Sequence, residues 1–121
     1  MKKISIYASF FLYTIMISCA RDAAEPVDTN CSGITTYDEQ AQEVIDTNCS
    51  YSGCHDGTGA APGNYSFYNG LKVTFNNSDE FINRVIVLKD MPPSDATGPV
   101  NLSEEDFNIL LCWIESGFPE K

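Results

Sequence analysis

Histidine is almost missing from this chain of 121 residues: there is one, His55. With no second histidine and no further cysteine close by, a zinc centre at Cys49, Cys54 and His55 would lack its fourth donor. Basic residues are also scarce, with 7 Lys and Arg against 17 Asp and Glu, a formal net charge of −10. A surface of that sign repels nucleic acid and anionic lipid headgroups, so nucleic-acid binding is excluded. No apolar run reaches the roughly 20 residues that a spanning helix needs. No nucleophile, base and orienting partner stand out as a catalytic set.

The longest apolar run is Ile4 to Ile17, 14 residues behind Lys2 and Lys3. A positive start followed by a short apolar stretch reads as a secretory signal peptide, here residues 1–18. The run closes on Met16-Ile17-Ser18-Cys19, which resembles a bacterial lipobox with methionine in the usual leucine place. Cys19 is then the lipidated new N-terminus; the alternative is cleavage nearby, for instance after Ala20, with Cys19 discarded. Acyl chains would tether the protein to a membrane without a spanning segment. Without Lys2 and Lys3, five basic residues face 17 acidic ones, a net of −12. Residues 19–35 are small, polar and acidic, with no hydrophobic period, and read as a flexible tether.

The folded part, residues 36–121, is small. A core of about 85 residues is marginal without a staple, a metal or a cofactor. Five cysteines in an exported chain point to an oxidising compartment or to covalent cofactor chemistry. Two of them bracket the chain's most informative stretch, Cys49-Ser-Tyr-Ser-Gly-Cys54-His55. Gly53 lets the loop between them turn tightly. One reading is a local disulfide with His55 as an ordinary loop residue. The other is a longer-spaced form of C-x-x-C-H, in which two thiols hold a haem and the adjacent imidazole binds its iron.

The elements around this stretch are helical. Thr36-Tyr-Asp-Glu39 has the form of a capping box, and Tyr37, Ala41, Val44 and Ile45 then fall on one helical face. That helix delivers Cys49 at its end. Asp56 to Gly63 is a loop by composition. Ser66 to Phe75 is expected as a short helix with Phe67, Leu71 and Phe75 on one side, against the grain of Gly70. Ser78-Asp-Glu-Phe81 opens another, carrying Phe81, Ile82, Val85 and Ile86. Met91, the one methionine outside the leader, sits before Pro92 and Pro93, which stiffen its segment. It is either a core filler or a presented thioether. Ser103 caps a last helix with acids in its first turn and a stripe of Phe107, Leu110, Leu111 and Ile114. Gly117 stops it. Trp113 is assigned to the core. Tyr51, Tyr65 and Tyr68 belong either at a cofactor edge or at the surface.

Helix, cysteine pair with histidine, Met-Pro loop, and a final helix ending Trp113-Ile-Glu-Ser-Gly117 together resemble the small c-type cytochrome domains of exported bacterial lipoproteins. The resemblance runs from about Thr36 to Glu120 and departs from the family in the cysteine spacing. It implies an all-α, cytochrome c-like fold of three to five helices around one covalent haem c. Cys49 and Cys54 would carry the thioethers, with His55 and Met91 as axial ligands. It also implies that a carbonyl of the 56–63 loop, at Pro62 or a neighbour, accepts the proton of the other imidazole nitrogen. With Cys19 lipidated and Cys49 and Cys54 occupied by haem, Cys31 and Cys112 are expected to pair; the alternative for Cys112 is burial as a small hydrophobe.

The activity so implied is one-electron transfer by a membrane-tethered carrier rather than catalysis. Its partner is a redox protein, and the acidic surface suits a basic one. Its location is an exported one, facing the periplasm or the cell surface. The competing function is a haem-free, disulfide-stapled lipoprotein that binds a protein or a glycan.

Overall fold

A computed structural model describes residues 30–59, 61–77 and 79–121. The apolar leader, Cys19 and most of the tether lie outside the described residues. All regular elements among the described residues are helical. None is long and apolar enough to cross a membrane.

The first helix opens as a π-turn, Tyr37–Ala41, and continues as α1, Gln42–Asn48. The expected capping box is not formed. The Thr36 side chain makes no cap bond, and its hydroxyl is buried without a partner. The C-terminal tail does the capping instead: the Tyr37 and Asp38 amides donate to the carbonyls of Pro119, at 2.9 Å, and Glu120, at 3.0 Å. Backbone acceptors supplied by the tail satisfy the free donors of the first turn as well as a side chain would. Beyond the cap, the predicted face is the buried one, with Tyr37, Ala41, Val44 and Ile45 all in the core.

Helix α2, Tyr68–Asn77, starts two residues later than the sequence suggests. Asn64 accounts for the delay, because its side-chain oxygen accepts the Ser66 amide at 3.0 Å and holds that segment in a turn. Phe67 consequently precedes the helix and is half exposed, while Leu71 is fully buried. Helix α3, Glu80–Ile82, passes directly into a second π-turn, Asn83–Val87, which buries Phe81 and Val85. Ser78, the expected start of that helix, is outside the described residues, and Asp79 makes no side-chain cap bond.

Helix α4, Glu104–Glu115, follows its sequence signals. Ser103 Oγ accepts the Asp106 amide at 3.0 Å, and Gly117 leaves the helix at φ +83°. Leu110 is the buried member of the expected stripe. Trp113 has no exposed surface and is the centre of the core. Its ring meets Tyr37 of the first helix at 5.9 Å, Phe75 of α2 at 5.1 Å and Phe118 at 5.2 Å. Its indole N–H donates to the Pro119 carbonyl at 3.0 Å, so the residue that fills the core also holds the tail that caps the first helix.

Cys31 and Cys112 form a disulfide across 81 residues of sequence. It ties the entry of the domain to α4. A chain carrying Cys31→Ser and Cys112→Ala should lose about 2–4 kcal/mol of unfolding free energy in urea titrations. An unchanged midpoint would show that the bridge is no staple.

Candidate functional site

The end of α1 sets the first thiol. Asn48 is buried, and its amide donates back to the Val44 carbonyl at 3.0 Å while reaching toward the Asp106 carboxylate of α4 at 3.5 Å. Cys49 closes the helix with its amide on the Ile45 carbonyl at 2.8 Å. The chain then turns back on itself: the Cys54 amide donates to Tyr51 and the His55 amide to the Cys49 carbonyl, both at 3.0 Å. Gly53 supplies the left-handed backbone, φ +89°, that this turn needs. The two extra residues between the cysteines are thus absorbed in one closed loop, with Cys49 and His55 joined across its base.

Cys49 and Cys54 are free thiols in this fold. Burial, then the neighbouring Cys54 and Asp106, push the Cys49 thiol up to about 12. It is therefore a protonated, poorly nucleophilic sulfur at neutral pH.

His55 is fixed from two sides. Its Nδ1 lies 2.6 Å from the Pro62 carbonyl oxygen. A carbonyl only accepts, so Nδ1 carries the proton, and Nε2 is left with the lone pair of the neutral ring. Tyr65 stacks on the imidazole at 4.1 Å, with the two planes 4° apart. The loop between them is closed by the Tyr65 amide on the His55 carbonyl at 2.6 Å and by a bridge between Asp56 and Asn64. Inside it, the Asp56 carboxylate accepts from the Thr58 amide, the Thr58 hydroxyl and the Gly59 amide at 2.8–3.2 Å. Gly70 lets α2 press against this loop, since a Cβ there would collide with the Asn64 carbonyl oxygen. The glycine that weakens the helix pattern in the sequence is the one that α2 needs to approach the histidine loop.

Met91 comes from a neighbouring wall. The second π-turn ends at Val87, and Lys89, two residues on, has φ +52° and sets its ammonium 4.5 Å from the centre of the Phe107 ring. Asp90 is then held to Arg84 through its amide at 3.0 Å and its carboxylate at 2.7 and 2.9 Å. This fixes the residue immediately before Met91. The Met91 side chain is half buried against the core. A cavity of about 380 Å³ opens beside it, lined by Val85, Val100, Leu102 and Phe107 among others. Neither His55 nor the two thiols line that cavity. The Met91 loop meets the cysteine loop through Gly98, packed against the Tyr51 ring.

Cys49, Cys54 and His55 are therefore one cluster, and Met91 belongs to a neighbouring wall joined to it by a loop contact. Cys31 and Cys112 are together elsewhere, and Cys19 is outside the described residues. Among the described residues, no three His, Cys, Asp or Glu side chains are placed to share a metal ion. Asp56, Tyr65, Gly70 and Gly98 have structural parts in the site that no sequence pattern singles out. Comparison with protein families, curated proteins and solved structures gave no match for this chain.

Two outcomes follow from these environments. In the haem-free chain at pH 8, iodoacetamide should alkylate Cys49 far more slowly than an ordinary thiol, because the thiolate fraction at a pKa of about 12 is on the order of a thousandfold below that at about 8.5. Peptide mass mapping showing prompt labelling of Cys49 would contradict its burial. The hydrogen bonds from Thr58 and Gly59 hold the Asp56 carboxyl below the ordinary 3.8. Folding therefore favours its ionised form, a contribution present above 3.8 and lost as the pH falls through the lowered folded value. The Thr58 and Gly59 amide NMR signals should titrate with a midpoint below 3.8, and a midpoint at or above it would refute the turn.

Proposed function

We propose that this chain is a small c-type cytochrome, built on a cytochrome c-like all-α fold, that carries single electrons. The observation that supports this best is the setting of His55: Nδ1 is committed to the Pro62 carbonyl at 2.6 Å, which leaves Nε2 as the ring nitrogen open to a metal, and the same closed loop carries two unbridged thiols. That is the donor set a covalently held iron porphyrin requires, with the tautomer fixed in advance by a neighbouring carbonyl. A site devoted to a local disulfide would have no use for an oriented imidazole.

On this reading Cys49 and Cys54 would hold haem c, and His55 and Met91 would supply the nitrogen and sulfur donors to its iron. When bound, the haem supplies a one-electron ferric–ferrous couple, and a thioether ligand raises its potential. The chain's own residues orient that group. Pro62 and Tyr65 set the imidazole plane, Arg84 and Asp90 fix the start of the methionine loop, and α1 and α4 bury the first thioether position. With both donors coming from the chain's own side chains, the iron would have no place for a substrate, and the protein would transfer electrons rather than transform a substrate. Lipidation at Cys19 would keep the carrier on a membrane surface outside the cytoplasm, and the acidic surface favours a basic redox partner.

Expression beside a competent haem-attachment system should give a coloured protein with one haem that survives denaturation, read by haem staining and intact mass. A colourless product of unmodified mass would sink this reading in favour of a haem-free stapled lipoprotein. Met91→Ala should keep the covalent haem and lower the reduction potential. An unmoved potential would remove Met91 from the ligand set.

A further inference from the structure

The lengthened cysteine loop carries a side chain that touches the methionine loop. Tyr51 lies inside the Cys49–Cys54 segment, and Gly98 lies seven residues after Met91. A Cβ built on Gly98 would fall 2.6 Å from Cζ and 2.7 Å from Cε2 of the Tyr51 ring. The ring therefore lies flush against the Gly98 backbone, closer than any other residue type at position 98 would allow. The fit is enclosed, for the Tyr51 hydroxyl is buried as well. It is also the place where the loop bearing Met91 meets the loop bearing the thiols. Burial and then the adjacent Cys54 thiol raise the Tyr51 phenol, while the Gly98 backbone, close to its hydroxyl, acts in the opposite direction.

We infer that Tyr51 is a positioning residue for Met91, its ring acting as the stop against which Gly98 seats the methionine loop. The inference rests on the cytochrome reading and goes beyond it. It assigns a purpose to the extra length between the cysteines, which carries an aromatic ring into the gap between the two loops. The geometry is specific: one flat ring against one glycine, so each partner needs the other's shape. A ring cut back to a methyl group leaves the loop unsupported. A methyl group added at position 98 drives the loop away.

The test uses the holo protein and reads how readily free imidazole displaces the Met91 thioether, followed by loss of the red-region charge-transfer band of the ferric form. Tyr51→Ala and Gly98→Ala should each raise the apparent imidazole affinity about tenfold, with haem content and helical circular dichroism retained. The double variant should also show about tenfold rather than a hundredfold, because the hole left by Y51A accommodates the methyl of G98A. Tyr51→Phe keeps the ring and should behave as the wild type. Unchanged affinity in both single variants, or additive effects in the double variant, would overturn the assignment. A tenfold effect of Y51F would also overturn it, by moving the role from the ring to the hydroxyl. Failure of the cytochrome reading is distinguished at the outset, since wild-type protein without covalent haem removes both.

Discussion

The hydrogen bond from His55 Nδ1 to the Pro62 carbonyl is the constraint around which the candidate site is arranged. It decides which nitrogen is protonated and where the ring points. The loop that carries Pro62 is held closed at its neck by the Tyr65 amide on the His55 carbonyl, so acceptor and donor belong to one small rigid unit. Asp56 stiffens its first turn, and Gly70 lets α2 lie directly against it. Each of these features would be idle in a loop that merely connects two helices. Together they hold one imidazole ring in a fixed direction on the loop that carries two thiols.

The neighbouring wall that carries Met91 is organised by different forces. Arg84 and Asp90 form a two-contact ion pair that is more than a third exposed on both sides, so solvent screens it and it adds little by itself. Its value is geometric, because the backbone bond from Asp90 to Arg84 reinforces it and fixes the approach to Met91. Lys89 reaches across to Phe107 and joins this wall to α4. The core beneath both walls is aromatic, with Trp113, Phe75 and Phe118 in mutual contact. Few side chains of large area give a short chain more burial than many small ones.

Much of this was legible in the sequence because the signals are local. The apolar face of the first helix, the Ser103 cap, the Gly117 stop and the burial of Trp113 follow from spacing within a few residues. The capping box at Thr36 misled because its competitor comes from the far end of the chain, where Pro119 and Glu120 supply the acceptors. Phe67 misled because Asn64 holds the preceding turn and delays the helix. The sequence leaves Tyr65 open between a cofactor edge and the surface; its stack on His55, like the seat of Gly98 on the Tyr51 ring, is a contact between separate segments that no local signal specifies. Gly70 is the instructive case: local propensity counted it against a helix, while tertiary packing required it there.

The disulfide has a mechanical side. Residue 31 is where the N-terminal segment enters the fold, and its sulfur is bonded to Cys112 in the body of α4. Any pull along that segment is shunted through the bridge into the helix that carries Trp113 before it reaches the first turn of the domain. The helix that ends at Cys49, and the loop that orients His55, lie downstream of this fastening and are shielded from the load.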